Sequence, residues 1–137
     1  MVSYSESTVD LSARDFRGGF FEGWAAPPDP VQHLRLLKNS AHVVVARDDS
    51  GAVIGFVNAL SDGVLSAYVP LLEVLPAHRG KGVGTELVRR LMDNLVGLYM
   101  VDVMCDPEIQ PFYERLGFVA AGGAIRRNYE WRTRTST

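Results

Sequence analysis

Three alternating glycines, Gly80, Gly82 and Gly84, are the residues of this sequence whose spacing most clearly suggests chemistry. They follow the apolar run LLEVLP and precede a strongly amphipathic stretch. Glycine leaves backbone N–H groups unobstructed, and the first turn of a helix carries unsatisfied N–H donors with a partial positive charge. Arg79 and Lys81 add two cations to the same turn. The pattern therefore predicts a phosphate-binding turn between a strand and a helix.

Other interpretations of this turn fit less well. A Walker loop requires GxxxxGK[ST], and no glycine stands five residues before Gly80. A dinucleotide fingerprint, GxGxxG, counted from Gly80 meets Thr85 at its last position. Glycines that serve only tight packing would not need two adjacent cations. A phosphate-bearing ligand is the favoured hypothesis, and a nucleotide is one alternative.

The residues around the turn also form a family signature. The pattern L-x-V-x-P-x-x-R-G-x-G-x-G, residues 72–84, resembles the acyl-CoA signature of the GNAT superfamily of N-acetyltransferases. The resemblance implies acetyl-CoA as co-substrate, with main-chain amides of the turn around its pyrophosphate. It also implies that the Val74 backbone bonds pantetheine and that the Leu72 N–H polarises the thioester carbonyl. The binding residues implied in this way are Leu72, Val74, Arg79, Gly80, Lys81, Gly82, Val83, Gly84 and Thr85.

A second motif lies nearer the C-terminus. The segment FYERLGF, residues 112–118, resembles the second motif of the same family, in which a tyrosine precedes x-x-x-G-F. By that resemblance Tyr113 is the candidate general acid for the leaving thiolate. The reference pKa of tyrosine, about 10, lies above about 8.5 for a thiol, so the phenol is protonated at neutral pH. Family members often carry an asparagine where this chain has Asp106, so a contact of Asp106 with CoA stays open.

The general base is less clearly marked in the sequence. Glu73 lies between the two residues implied to bind the thioester arm, although strand alternation points it to the opposite face. Tyr68, Asp62, Glu22 or a water molecule are the alternatives. Glu73 is the candidate general base, beside Tyr113 as the candidate general acid.

The cysteine and the histidines give little indication of a catalytic or metal-binding role. Cys105 has no paired base and is interpreted as a small buried residue. His33 is expected on a helix surface, His42 at the start of a strand and His78 exposed in the glycine turn. Three dispersed histidines form no metal constellation, so no metal is expected.

These residues together predict an N-acetyltransferase in which a primary amine directly attacks acetyl-CoA. A small amine is favoured over a protein amine as acceptor. A non-catalytic acyl-CoA sensor with the same fold is the alternative function. Four aromatic side chains suggest a partly apolar acceptor pocket: Phe20, Phe21, Trp24 and Tyr68. A homodimer is possible, since closing strands such as AIRRNYEW can pair between subunits.

Composition narrows the class of protein. The 137 residues fit one domain, 1–137, and 47% of them are apolar, enough for a core. A net charge of −2 disfavours a general nucleic-acid or membrane-surface binder. No apolar run approaches the roughly 20 residues that span a bilayer. The first residues lack the pattern of a signal peptide, and a single cysteine indicates a reducing compartment, so a cytoplasmic location is expected.

Two helices are predicted in the first third of the chain. Ser12 with Asp15 three residues later predicts a capped helix that continues to Trp24, weakened by the glycines at 18 and 19. Asp29 followed by Pro30 predicts the start of a second helix that extends to about residue 39. Its inward residues are expected to be Val31, Leu34 and Leu37.

The remainder of the chain predicts a sheet with further helices. Strands are predicted at 3–9, 41–47, 52–60, 66–75 and 98–105, with a closing pair within 119–131. Pro70 suggests a bulge or an edge in its strand. Helices are predicted at 82–96, where Val96 belongs to the apolar stripe and Gly97 ends the helix, and near 108–116. The fold class is α/β, a mixed and mostly antiparallel sheet flanked by about four helices, with a splayed strand pair implied by the family resemblance.

Overall fold

The computed structural model describes residues 1–129, which form a five-stranded sheet in the order β1-β2-β3-β4-β5. β1 to β4 pair antiparallel, and β4 pairs parallel with β5. The mixed, mostly antiparallel sheet is therefore confirmed. The strands are β1 (Ser3–Ser5), β2 (His42–Arg47), β3 (Val53–Ser61), β4 (Ser66–Val74) and β5 (Met100–Val103). The α-helices are α1 (Pro30–Lys38), α2 (Val83–Asp93) and α3 (Gln110–Glu114), with 3-10 turns at Ala13–Phe16, Pro76–His78 and Pro107–Ile109.

Both faces of the sheet are covered, which explains why β2 and β3 are continuous runs of buried apolar residues. One face packs against α2, whose buried residues are Val83, Leu87, Val88 and Leu91. The other face packs against α1 and the segment before it, and its buried cluster is Leu11, Phe16, Phe21, Leu37, Val43, Val45, Val53 and Phe56. The sheet is the rigid layer from which the site is built.

β4 carries the bulge that Pro70 predicts. Its register against β3 shifts between Tyr68, opposite Leu60, and Leu71, opposite Asn58, so β4 has one extra residue there. The parallel pairing with β5 joins residues 66–69 to residues 100–103 and stops at the same place. Beyond Pro70, β4 pairs with β3 alone among the strands within residues 1–129. The predicted splayed pair is thus present, and the proline marks where it opens.

The helix predicted from Ser12 to Trp24 is wrong. The capping interaction is present, since the Ser12 N–H donates to the Asp15 carboxylate at 2.8 Å, but it starts only the 3-10 turn Ala13–Phe16. The following backbone enters the left-handed region at Gly19 (φ 95°), Phe21 (φ 62°) and Gly23 (φ 87°). A helix cannot continue through such residues. The segment from residue 17 to 28 is a loop.

α1 begins and ends where predicted, with the Asp29 carboxylate accepting the Gln32 N–H at 2.8 Å. Its buried face is different: His33, expected on the surface, is 1% exposed, and Val31, expected inward, is exposed. His33 and Leu37 are one turn apart and together face the aromatic cluster. The apolar positions alone did not indicate this face, because a histidine occupies its centre.

α2 is shorter than predicted. It ends at Asp93 with Asn94 as C-cap, so Gly97 does not end it. Leu95 is still buried, but Val96, expected in the apolar stripe, is 84% exposed. Because α2 ends at Asp93, Val96 lies outside the helix and does not belong to its buried face. β1 and β5 are also shorter than their predicted ranges, and 108–116 is divided between a 3-10 turn and α3.

The closing strand pair predicted within 119–131 is absent from the part that the structure describes. Residues 119–129 form no strand and are exposed, and residues 130 and 131 lie outside the described residues. Within residues 1–129, this segment pairs with no other strand. Over residues 1–129, no helix has the length and apolar character that a membrane span requires.

Candidate functional site

The divergence of β4 and β5 opens a cleft of about 730 Å³. Its walls are β4 from residue 69 to 74, the glycine turn with the start of α2, and the segment from β5 to α3. Eight of the nine predicted binding residues line it, and the exception is Lys81, which is exposed. Both candidate catalytic residues, Glu73 and Tyr113, line the same cleft. The structure therefore brings the two sequence motifs together.

The glycine turn has the backbone geometry of an anion-binding loop. Gly80 (φ 75°) and Gly82 (φ 84°) are both in the left-handed region that favours glycine, and Gly82 is the N-cap of α2. The first amide bonded within the helix is that of Glu86, which donates to the Gly82 carbonyl at 3.1 Å. The three preceding helical N–H groups, at residues 83 to 85, are therefore available to a ligand in the cleft.

The edge of β4 supplies a second row of donors. The Leu75 N–H points to β3, donating to the Ile54 carbonyl at 2.8 Å. Because successive residues of a strand direct their N–H and C=O groups to alternate sides, those of Leu72 and Val74 point away from β3. The Val74 carbonyl confirms this direction, since it accepts the Arg79 Nε at 3.0 Å. The Leu72 and Val74 amides thus face the gap where β5 has separated.

Arg79 links the turn to the loop before α1. Besides the bond to Val74, its guanidinium donates from Nη1 to the Glu22 carboxylate at 3.0 Å. Both side chains are largely exposed, so the pair contributes little to stability. Its effect is to place one cation at the rim of the cleft. No sequence pattern indicated that Glu22, considered as a base, is the partner of Arg79.

Tyr113 projects from α3 into the wall of the cleft. It is 6% exposed and is held between Phe112 and Phe118, whose ring centroids lie 4.9 Å and 5.3 Å away. Burial, with a smaller contribution from Cys105, raises the pKa of Tyr113 to about 12. The phenol therefore stays protonated across the physiological range. Cys105 also lines the cleft, half-buried, and burial raises the pKa of its thiol, as expected for an inert cysteine.

Glu73 points to the face that alternation predicts. Leu72 and Val74 pack against the α2 side of the sheet, whereas the Glu73 carboxylate reaches the α1 side and accepts the Phe21 N–H at 2.9 Å. It nevertheless lines the cleft, because the cleft opens across the end of the strand. This hydrogen bond joins residues 52 positions apart, and no sequence signal could have predicted it.

The other proposed bases lie elsewhere. The Asp62 carboxylate accepts the N–H groups of Val64, Leu65 and Ser66 at 2.9 Å, 2.9 Å and 3.2 Å, and these bonds lower its pKa. The Asp62 carboxylate is therefore engaged in hydrogen bonds within the turn between β3 and β4. Tyr68 is exposed and does not line the cleft. Residues 1–129 contain no cluster of metal-ligating side chains.

Comparison with known proteins identifies the architecture. The family model for the acetyltransferase (GNAT) domain matches residues 39–120, more than half of the chain. The chain belongs to the GNAT family. A candidate acetyltransferase of Deinococcus radiodurans R1, whose crystal structure is known, is 43% identical, with a TM-score of 0.93 over 99% of this chain and 94% of that one. The glucosamine-6-phosphate N-acetyltransferase of Arabidopsis thaliana shares the fold at a TM-score of 0.70 and 18% identity, over 94% of this chain and 99% of that one.

Two rice proteins (Oryza sativa subsp. japonica) are similar in sequence to this GNAT chain. Serotonin N-acetyltransferase 2, chloroplastic, is 32% identical over 114 residues, which is 79% of this chain and 57% of the rice protein. The protein named "Probable glucosamine 6-phosphate N-acetyltransferase 2" is 28% identical over 134 residues, 89% of this chain and 74% of its own. The chain thus spans little more than half the length of the first relative.

Proposed function

We propose that this GNAT protein transfers the acetyl group of acetyl-CoA to a primary amine. The observation that carries the proposal is the alignment of two donor sets in one cleft. Within residues 1–129, the N–H groups at the start of α2, residues 83 to 85, are unpaired at one end of the cleft, and the unpaired amides of Leu72 and Val74 follow along β4. A ligand with a phosphate group and an extended amide-bearing arm matches both sets, and CoA has this form.

The residues present fit the donor molecule. The cradle between Gly80 and Thr85 would hold the pyrophosphate, with Arg79 at its rim as a neighbouring cation. The Val74 backbone would bond the pantetheine arm as a strand would. The Leu72 N–H would then be the donor for the thioester carbonyl, where an oriented amide stabilises developing negative charge. The thioester supplies the activated acyl group.

Tyr113 is the proposed general acid. A buried phenol with a pKa of about 12 stays protonated at neutral pH, so a proton is available for the departing sulfur. Among residues 1–129 its hydroxyl has no hydrogen-bond partner, and the side chain lines the cleft. These features favour a role towards ligand over a purely structural one.

Glu73 is the proposed acceptor of the proton, or the anchor for the incoming ammonium. One carboxylate oxygen is held by the Phe21 N–H, which fixes the orientation of the group. The other oxygen has no partner within residues 1–129. A fixed carboxylate with one free oxygen in the cleft suits an amine substrate, directly or through a water molecule.

The lining of the cleft favours one acceptor class. Serotonin is a primary arylalkylamine, and glucosamine 6-phosphate is a phosphorylated amino sugar. The cleft lining also includes Pro70, Leu71 and the half-exposed Trp24, which packs against Phe21, the residue whose N–H bonds Glu73. The cationic side chain of the cleft, Arg79, lies at the glycine turn instead. We therefore propose a small primary amine with an apolar body, rather than a phosphorylated sugar.

Ligand binding and thiol release test the proposal. Thermal unfolding with acetyl-CoA, ATP and NAD should show a rise in Tm for acetyl-CoA alone, since only a ligand of the folded state stabilises it. Equal shifts with ATP or NAD would indicate a nucleotide site instead. A thiol-release screen should then find turnover with arylalkylamines above that with amino sugars. Binding of acetyl-CoA without turnover on any amine would favour the acyl-CoA sensor.

A further inference from the structure

The guanidinium of Arg79 is held between the two donor sets of the cleft. Its Nε donates to the Val74 carbonyl at 3.0 Å, and its Nη1 donates to the Glu22 carboxylate at 3.0 Å. Arg79 and Val74 both line the cleft, and the Val74 carbonyl faces the gap that β5 leaves. The Arg79 side chain therefore lies where a ligand would pass from the glycine turn to the edge of β4.

Glu22 lies in a turn that is fixed at both ends. The Phe21 N–H, just before Glu22, donates to the Glu73 carboxylate at 2.9 Å. The Trp24 N–H closes the turn by donating to the Phe21 carbonyl at 3.1 Å. The backbone is left-handed at Phe21 (φ 62°) and at Gly23 (φ 87°), on either side of Glu22. The position of the Glu22 backbone is thus set by hydrogen bonds that do not involve its own side chain.

The Glu22 carboxylate resembles a phosphate in the way it binds arginine. A guanidinium recognises carboxylate and phosphate through the same planar set of N–H donors. The side chains of the pair are 49% exposed for Arg79 and 61% exposed for Glu22, so the ion pair is weak and can be exchanged for another. Among residues 1–129, no other carboxylate forms an ion pair with Arg79. Arg79 therefore already holds one anionic group of the chain itself.

We propose that Glu22 competes with the phosphate groups of the ligand for Arg79. In the free protein the carboxylate occupies the guanidinium, and when a pyrophosphate binds at the glycine turn, Arg79 exchanges the carboxylate for a phosphate oxygen. This inference rests on the proposed function, since it takes acetyl-CoA as the ligand. Glu22 acts through Arg79, so it determines affinity and takes no part in the chemistry. Because CoA carries the same pyrophosphate, Glu22 also favours release of the product.

Calorimetric titration with acetyl-CoA and with CoA measures the competition. Glu22→Gln keeps the length of the side chain and removes its charge, so it should lower the Kd of both ligands about two- to fivefold, the range expected for an exposed ion pair. The matched control is Glu108→Gln, which removes a charge next to the cleft residue Ile109. Glu108 is exposed and forms no ion pair within residues 1–129. This control should leave both Kd values close to those of the wild type.

The double variant separates competition from long-range repulsion between Glu22 and an anionic ligand. In an Arg79→Gln background, Glu22→Gln should no longer tighten binding, because the carboxylate has no guanidinium to occupy. Tightening that persists without Arg79 would overturn the proposal in favour of repulsion. An unchanged or weaker affinity of Glu22→Gln alone would also overturn it, since the pair would then only stabilise the turn. The Tm of each free variant should stay close to wild type, because the pair is exposed.

These outcomes can be distinguished from a failure of the proposed function. If the wild type does not bind acetyl-CoA, both proposals are wrong. If Glu22→Gln tightens binding as expected but no amine is acetylated, the competition holds in an acyl-CoA sensor. If an amine is acetylated but Glu22→Gln binds acetyl-CoA like the wild type, the enzymatic function holds and the competition is wrong.

Discussion

The carboxylate of Glu73 accepts the backbone N–H of Phe21 at 2.9 Å. This bond ties β4, which carries the proposed acyl-CoA contacts, to the loop that carries Trp24, an aromatic residue that lines the cleft. Phe21 has a left-handed backbone (φ 62°), a conformation that costs a non-glycine residue roughly 1–2 kcal/mol. Its ring is buried against Phe56 and Trp24, which helps to hold it there. Among residues 1–129, one Glu73 oxygen thus has a structural partner and the other has none.

Substitutions at Glu73 should separate these two roles. Glu73→Gln keeps an oxygen that can accept the Phe21 N–H but removes the charge, whereas Glu73→Ala removes both. We expect kcat/KM for the amine to fall at least tenfold in both variants. Only Glu73→Ala should also lower the free energy of unfolding, by about 1–3 kcal/mol for the unsatisfied amide. Thiol release and chemical denaturation measure the two effects.

Asp10→Asn, at an exposed carboxylate of the N-terminal segment, is the matched control for the loss of one negative charge. It should change neither quantity. Full activity of Glu73→Gln at neutral pH would remove Glu73 as proton acceptor and leave water as the carrier.

Tyr113→Phe should reduce kcat at least tenfold while acetyl-CoA affinity stays within about twofold of wild type, because the ring packing is retained and only the hydroxyl is lost. Calorimetric titration of acetyl-CoA and steady-state kinetics measure the two quantities. A variant with unchanged kcat would exclude Tyr113 as general acid. Phe118→Leu, which alters the neighbouring ring and leaves the hydroxyl, is the control and should keep most of the turnover.

The raised pKa of Tyr113 also predicts a pH profile. Its folded pKa, about 12, lies above the unfolded value of 10.0, so the phenol favours folding below pH 10 and this contribution is lost as the pH rises towards 12. Within the pH range of the assay, ionisation of Tyr113 should therefore not lower kcat of the wild type. Any decline of kcat at alkaline pH should be equally present in Tyr113→Phe. A decline with an apparent pKa near 9 that disappears in Tyr113→Phe would contradict a buried, protonated phenol.

Gly82→Ala and Gly84→Ala should differ because the two backbones differ. Gly82 has φ 84°, so alanine there would be strained by roughly 1–2 kcal/mol although no atom lies within 4 Å of the added methyl. At Gly84 the methyl would meet the Phe112 ring at 3.6 Å, an ordinary contact. We expect Gly82→Ala to lower both stability and acetyl-CoA affinity, and Gly84→Ala to preserve stability. Equal effects on unfolding would show that the left-handed turn is not what requires glycine.

The parts of the fold that sequence predicts are those governed by local chemistry. The β-branched runs of β2 and β3, the Asp29–Pro30 start of α1 and the bulge at Pro70 all follow from neighbouring residues, and each is confirmed. Sequence motifs indicate the glycine turn and Tyr113 as candidate site residues, and both line one cleft. Their proposed roles stay predictions.

The parts that sequence misses are set by distant contacts. The chain after Phe16 is not helical, and the Phe21 N–H in this loop donates to the carboxylate of Glu73, which is distant in sequence. The closing segment forms no strand within residues 1–129, although its local propensities predict one. His33 breaks the apolar pattern of α1 yet lies at its buried centre, because four aromatic rings around it provide the packing that periodicity alone cannot reveal.

His33 should make folding sensitive to acid. Its ring lies 4.0 to 5.3 Å, centroid to centroid, from those of Phe16, Phe20, Phe21 and Phe56, and its Nε2 has no hydrogen-bond partner within the described residues. Burial lowers the pKa of His33 from 6.5 to about 4. A depressed pKa means that its contribution to folding is present above pH 6.5 and is lost as the pH falls towards 4.

Between pH 7.5 and 5.5 this titration should remove about 1 kcal/mol from the free energy of unfolding. His33→Phe replaces the ring with one that does not titrate, so the difference between the two pH values should shrink by that amount. Leu37→Val, one turn further along the same buried face, should lower stability at both pH values without changing their difference. Urea denaturation at pH 7.5 and 5.5 measures all three proteins. If the stability difference between the two pH values is the same in His33→Phe as in the wild type, the acid sensitivity arises from other groups. The protein would then not lose folding free energy through protonation of His33.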